Sequence, residues 1–232
     1  MPLTRRDVLR GTTAVLAVGS LAMVTGAGSA SADAHPTLRM GSRGPAVRAL
    51  QGRLTALGSW LGAVDGQYGD LTRQAVWALQ KVAGLERDGV CGPATWSQVD
   101  AGRRPKARTA KGHVVEIDKP TQTLLVADNG IVAWIFNTST GSGRKYRSGG
   151  KEHVALTPSG DFRVFRRVDG WDDGPLGKLY RPQYFNGGIA VHGYPSVPPT
   201  PASHGCCRVS LPAMDLLWDA GGMEVGTRVL VR

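Results

Sequence analysis

Two short clusters in the 232-residue chain hold residue types that could do covalent chemistry. One is Val191-His192-Gly193-Tyr194; the other is Ser203-His204-Gly205-Cys206-Cys207-Arg208-Val209. A cysteine accompanied by histidines is a candidate nucleophile, because only the thiolate attacks and an imidazole must take its proton or hold the ion pair. Gly205 beside Cys206 lets the main chain approach a substrate closely and aim N–H groups at a developing oxyanion. On an extended strand Arg208, two residues past Cys206, points to the same side, where it would clamp a carboxylate. His192, His204 and Cys206 are also types that suit zinc. No His-Glu-x-x-His pair or carboxylate cluster accompanies them, so neither a metal nor an organic cofactor is expected. Cys207 reads as buried packing. His113 and His153 stand alone and read as surface or core residues. Trp171, Tyr180, Tyr184 and Phe185 leave two readings open, groove wall or core.

Both clusters fall in a region whose apolar residues recur with a period of two. His113 to Asp118, Thr123 to Ala127, Ile131 to Phe136, Phe162 to Arg166, Ile189 to His192 and Val225 to Val231 are strand-like. Asp128-Asn129-Gly130 is a hairpin turn. Only Ala213 to Ala220, behind Pro212, has a helical pattern. Short consecutive strands with Gly/Pro turns argue for an antiparallel sandwich or barrel.

The region from Leu38 to Val99 is helical instead. Val47, Leu50, Leu54 and Leu57 recur at helical spacing before Gly58, and Leu71, Ala75, Val76, Leu79 and Val82 before Gly84. Asp65-Gly66-Gln67-Tyr68-Gly69 and Asp88-Gly89-Val90-Cys91-Gly92 form a weak internal repeat, each feeding a helix, with Pro93 suited to the first turn of the third. Between the two regions Arg103, Arg104, Lys106, Arg108 and Lys111 lie in a stretch without acidic residues or apolar period, which reads as a solvated linker.

At the start, Thr4-Arg5-Arg6-Asp7-Val8-Leu9-Arg10 precedes an apolar run from Ala14 to Val24 and then Ala30-Ser31-Ala32. That order is an export signal, and the paired arginines are similar to a twin-arginine signal. The run is shorter than the about 20 residues a membrane span needs, so no stable membrane anchor is expected. The whole chain carries a formal charge of +10. Beyond the membrane this suits anionic wall polymers, and no basic–aromatic interleaving suggests a nucleic-acid surface.

The helical segment resembles the peptidoglycan-binding-like module through Gly44-Pro45-Ala46-Val47, Leu50-Gln51, Asp65-Gly66-Gln67-Tyr68-Gly69, Thr72, Ala75, Val76, Gln80 and Asp88 to Trp96. Cys91 stands where that family has a branched apolar residue, and reads as a small buried hydrophobe. The two clusters, with Ser139-Thr140-Gly141, Thr157 to Phe162 and Phe185 to Ala190, resemble the L,D-transpeptidase (YkuD-type) signature of His-Gly, a loop, Ser-His-Gly-Cys, one apolar residue and Asn or Arg. With the signal peptide at 1–32 and the basic linker at 101–111 read from their own residues, the resemblance implies a multidomain chain with a three-helix wall-binding module at 37–100 and a mainly antiparallel β-sandwich enzyme at 112–232. It implies Cys206 as nucleophile, His192 as general base, Gly193 orienting that base through its carbonyl, and Ser203, His204 and Gly205 on the oxyanion side. Arg208 replaces the family's Asn, and with Tyr194, Tyr184 and Phe185 is expected to meet substrate. The implied partners are peptidoglycan stem peptides, wall polymers at the module and carbapenem-type inhibitors. The implied reaction is cross-linking through a thioester. The alternatives are an L,D-carboxypeptidase that hydrolyses the same thioester and a non-catalytic wall-binding protein. The loop from Gly193 to Ala202 is shorter than in many relatives and stiffened by Pro195, Pro198, Pro199 and Pro201.

Overall fold

The computed structural model describes residues 35–232, and the export signal read at 1–32 lies outside the described residues. Helices α1 (Pro45–Ala56), α2 (Asp70–Ala83) and α3 (Pro93–Asp100) follow the apolar spacing. Pro45 and Pro93 occupy first turns, where a missing N–H costs nothing. Gly84 ends α2 in the left-handed conformation, at φ 68°. Leu50, Leu54, Ala75, Val76, Leu79, Trp96 and Cys91 share one buried cluster.

The weak repeat of the sequence is a strong repeat of hydrogen bonds. Gln51 Nε2 reaches Asp65 Oδ1 (2.8 Å), the Gln67 carbonyl (3.0 Å) and Thr72 Oγ1 (3.0 Å), while its Oε1 accepts from Gly66 N–H. One turn later Gln80 Nε2 reaches Asp88 Oδ1 (2.6 Å), the Val90 carbonyl (3.1 Å) and Thr95 Oγ1 (3.2 Å), and its Oε1 accepts from Gly89 N–H. Each buried glutamine thus satisfies the turn that starts the next helix.

The β region begins with the expected meander of β1 (His113–Asp118), β2 (Thr123–Asp128) and β3 (Ile131–Asn137). Asn129 and Gly130 both take positive φ, as a primed hairpin turn requires. A separate hairpin follows, β4 (Lys145–Ser148) and β5 (Lys151–Val154), then β6 (Gly160–Arg163), β7 (Arg166–Arg167), β8 (Trp171–Gly174), β9 (Gly177–Asn186), β10 (Ile189–Tyr194), β11 (Cys207–Ser210), α4 (Leu211–Asp219) and β12 (Arg228–Val231). One sheet has the order β3-β2-β1-β12-β6; the other is β11-β10-β9-β7, with β8 also on β9. Pairing is antiparallel except for β1 with β12 and β10 with β11. Val115, Ile117, Leu124 and Phe136 from the first sheet, Phe185, Val191 and Cys207 from the second, and Met214 and Leu217 from α4 fill one core. The strand expected at Phe162 to Arg166 is broken because the chain changes sheets there. Val164 N–H bonds Thr227 of the first sheet's side, and Phe165 N–H bonds Tyr184 of the second.

The helices and the sheets are packed as one compact unit. Ala78 of α2 joins Leu125, Val132 and Ile135 in an apolar cluster. Beside it Lys81, 3% exposed, donates to the carbonyls of Gln122 (2.7 Å) and Thr138 (3.1 Å) and to Asn137 Oδ1. The basic stretch expected to be solvated is tied down as well. Arg104 Nη2 donates to the Val132 carbonyl at 2.8 Å, and the buried Glu116 carboxylate accepts from Arg108 and Thr109 N–H. Its basic side chains still reach solvent, while the Arg104 guanidinium and the main chain of Arg108 and Thr109 hold it to the sheet.

Burial without a carboxylate partner, with Arg87 adding like charge, pushes the Lys81 pKa down to about 6 from 10.5. Between those values the unfolded chain binds one more proton than the folded one, so stability climbs with pH across the interval. Lys81→Met is expected to lower stability at pH 10 by about 1–3 kcal/mol, since the neutral amine still donates two N–H bonds among the surrounding acceptors and methionine donates none. It is also expected to flatten the rise of Tm from about pH 6 to 10. Thermal melts of both proteins across that range measure the difference, and parallel curves would refute the assignment.

Candidate active site

The two chemical clusters meet because β10 and β11 are parallel neighbours, with Val191 opposite Cys207 and His192 opposite Arg208. Side chains alternate across the sheet. Val191, Cys207 and Val209 enter the core, whereas His192, Tyr194 and Arg208 face the other way, into a cavity of about 1040 Å³ that Cys206 also lines. Opposite His192 the partner strand is bulged. Val191 pairs with Gln183 and Gly193 with Tyr180, so Arg181 and Pro182 together face one residue. Arg181 takes φ 47° there and is held by Asp169 (3.0 Å), Asp215 (2.9 Å) and Asp219 (3.5 Å). Gly193 is needed for packing. A Cβ would meet Tyr180 Cδ1 at 2.8 Å and Met214 Cβ at 3.1 Å.

His192 is 4% exposed, and its Nδ1–H donates to the Gly193 carbonyl at 2.9 Å, which leaves Nε2 as the nitrogen able to accept a proton. Burial pushes its pKa down to about 4, against the pull of that hydrogen bond and with help from the Arg208 charge. Burial likewise raises the Cys206 thiol above its ordinary value, with the Ala190 main chain and Arg208 pulling back. Sγ points to the Gly188 carbonyl at 3.7 Å. Both shifts favour the uncharged forms, thiol and imidazole.

The turn before Cys206 is closed by Ser203, whose hydroxyl donates to the Cys206 carbonyl at 2.5 Å and accepts from Gly205 N–H at 3.0 Å. Gly205 itself sits at φ +143°, where a Cβ would lie 2.9 Å from the Leu156 carbonyl. Its carbonyl accepts from Thr157 Oγ1 at 2.6 Å. Gly205 N–H is engaged by Ser203, and the main-chain donor placed at the sulfur is that of Ala190. Arg208 lies over the Tyr194 ring at 4.0 Å. Among the described residues it pairs with no carboxylate, and its buried Nε has no acceptor.

His192, Tyr194, Tyr184, Ser203, His204, Gly205, Cys206 and Arg208 all line the cavity. Phe185 does not. It is 3% exposed and packs in the core against Phe162. The expectation that it meets substrate is corrected by strand alternation, since on β9 Tyr184 and Phe185 must point to opposite faces. His204 is exposed and meets the edge of Tyr146 at 4.7 Å, so it sits at the rim. The residues that sequence reasoning missed come from distant elements. Tyr146 arrives on the β4–β5 hairpin. Arg166 lies 4.8 Å from the Tyr184 ring, and Asp172 accepts from both Arg166 and the Tyr184 hydroxyl at 2.9 and 2.8 Å. No local motif marks them. Among the described residues no group of three His, Cys, Asp or Glu is placed to hold a metal.

Residues 112–231 match the family described as "L,D-transpeptidase catalytic domain", and residues 43–99 match "Putative peptidoglycan binding domain". The crystal structure of the L,D-transpeptidase from Xylanimonas cellulosilytica is similar with a TM-score of 0.82 and 52% identity, over 84% of this chain and 97% of that one. A zinc D-Ala-D-Ala carboxypeptidase from Streptomyces albus G is 40% identical over 94 residues, 35% of this chain. An N-acetylmuramoyl-L-alanine amidase from Bacillus licheniformis is 41% identical over 87 residues, 36% of this chain. The chain spans only 36% and 24% of the lengths of these two curated relatives. With its catalytic-domain match covering half the chain and a likeness extending through nearly the whole of a solved relative, the chain belongs to the L,D-transpeptidase family.

Proposed function

We propose that the protein is an exported, cysteine-dependent L,D-transpeptidase that joins peptidoglycan stem peptides. The observation that carries this reading is one cavity holding a half-buried thiol, an imidazole fixed through Nδ1, and a cation that pairs with no carboxylate among the described residues. In this reading residues 112–232 are the enzyme and residues 37–100 hold the wall. Arg208 receives the carboxylate of the donor stem's terminal D-alanine. His192 Nε2 takes the Sγ proton as sulfur attacks the carbonyl carbon of the L-to-D bond. Cys206 N–H stabilises the oxyanion. The C–N bond then breaks, the imidazolium returns its proton to the departing amine, and a thioester remains. A side-chain amine of a second stem attacks that carbonyl and loses its proton to His192. The new amide forms as sulfur leaves and regains the proton. Ser203 and Gly205 serve by holding the turn, Gly193 by holding the base, and His204 by forming the rim with Tyr146.

The decisive test incubates mature protein with tetrapeptide muropeptides and reads products by mass spectrometry. Dimers with release of D-alanine are expected, and Cys206→Ala is expected to yield neither. Tripeptide without dimers would shift the assignment to hydrolysis. A carbapenem is expected to add covalently to Cys206 by intact mass, and an unmodified native protein would favour a non-catalytic wall binder.

The titration of the site gives two further expectations. His192 carries a proton only below about pH 4, so the acid limb of kcat/KM should fall near that value and not near the ordinary 6.5. Stability follows the same sign, since the unfolded histidine takes up its proton first and stability declines as pH drops through that interval. Alkylation of Cys206 by iodoacetamide should still climb with pH through 9, the ordinary thiol value. A plateau already reached at neutral pH would instead reveal a thiolate–imidazolium pair.

A further inference from the structure

The cavity wall next to Tyr194 includes Pro195 and Ser196, the start of the loop that leads to Ser203. Four of that loop's residues are proline and donate no main-chain hydrogen bond, so groups outside it must set its course. Much of that support comes from the helical module. Gln74 Nε2 on α2 donates to the Val197 carbonyl at 3.1 Å, and Arg87 Nη1 donates to the Pro199 carbonyl at 3.1 Å. Asn137, which receives Lys81 Nζ and donates to Gln74 Oε1 at 2.5 Å, donates also to Val197 at 3.2 Å. Farther along, Ser139 Oγ donates to the Thr200 carbonyl at 2.8 Å, and Ser139 exchanges both main-chain bonds with Arg208. Neither Gln74 nor Arg87 lines the cavity.

We propose that the helical module is part of the substrate-recognition apparatus: Gln74 and Arg87 are positioning residues that set the Pro195–Ala202 loop, and through it the Pro195–Ser196 wall and the stacking of Tyr194 on Arg208 that presents a guanidinium to a carboxylate-ended peptide. The proposal rests on reading the cavity as the stem-peptide site. It gives the module a role in catalysis separate from any hold on the wall.

The test uses the mature full-length protein with Gln74→Ala and, separately, Arg87→Ala. Amide exchange over residues 194–203 is expected to quicken in both variants, with the strands of the two sheets unchanged. KM for a carboxylate-ended tetrapeptide stem is expected to rise about tenfold while kcat stays within about twofold, because ground-state placement is lost and the reacting groups are not. The alkylation rate of Cys206 by iodoacetamide is expected to stay within about twofold, since that probe does not need the wall. Unchanged exchange over 194–203 in both variants would overturn the proposal, as would a loosened loop with unchanged KM. A fall in kcat and alkylation in step with Tm would mark a merely structural role and overturn it too. If wild-type protein turns over no stem and takes up no carbapenem, the functional reading fails, while exchange still decides whether the module holds the loop.

Discussion

Parallel strands cannot be joined by a tight turn, so the chain leaving β10 at Tyr194 must travel back along the sheet before it enters β11 at Cys207. That return path contains both the proline-rich loop and the Ser203–Cys206 turn. The candidate nucleophile therefore arrives at the start of a strand whose neighbour carries the candidate base. Everything nearby keeps this register. On one side the Arg181–Pro182 bulge takes up the extra residue opposite His192, and three aspartates hold its left-handed arginine. On the other side Ser139 bonds the free edge of β11 at Arg208. Beneath, Tyr180 of β9 together with Met214 and Leu211 of α4 leaves no room for a Cβ at Gly193. A slip of one residue would send His192 into the core and Val191 into the cavity.

The same burial that fixes the geometry decides the protonation state. An imidazole lowered to about 4 and a thiol raised above its ordinary value hold no charge between them at neutral pH. Arg208 is then the permanent charge beside them, and it favours an anion over a second cation. In the proposed reaction an uncharged pair would place proton transfer with or after substrate binding, and the Gly193 carbonyl, by holding Nδ1–H, fixes the orientation of Nε2.

Much of this was legible in the sequence. The spacing of Val47, Leu50 and Leu54 marked α1, alternation marked β1 to β3, and the Ser-His-Gly-Cys-x-Arg cluster marked the turn and its neighbours. What escaped has physical causes. β9, the strand between β10 and β7, carries Pro182 and four charged or amide side chains that break its alternation despite Tyr180, Tyr184 and Phe185; tertiary pairing and the bulge override that pattern. The β4–β5 hairpin is almost entirely exposed and so writes no apolar pattern. Tyr146 thus reaches the rim without a local signal. Tyr184 and Phe185 are chemically alike to a reader of composition, and only the strand's alternation separates wall from core. The basic stretch 101–111 shows solvent-facing side chains in its sequence, but its anchoring acceptors, Glu116 and the Val132 carbonyl, lie elsewhere in the chain.

The contact between the helices and the sheets shows why one orientation is selected. Ala78, Leu125, Val132 and Ile135 supply apolar area, but such a patch tolerates rotation and sliding, because dispersion and hydrophobic attraction are not directional. Lys81 does not tolerate them. Its amine sits among three acceptors in a buried place, and a small rotation of α2 would strip the lysine of those acceptors and leave Asn137 Oδ1 without its donor, at a cost well above the worth of any one bond made. Gln74 and Asn137 repeat the argument at Val197, where a donor on each side of the contact shares one carbonyl. The apolar patch therefore gives the attraction and the buried polar groups give the angle. The Val197 carbonyl belongs to the loop that begins in the cavity wall, so the angle of α2 and the shape of that wall are one geometric variable.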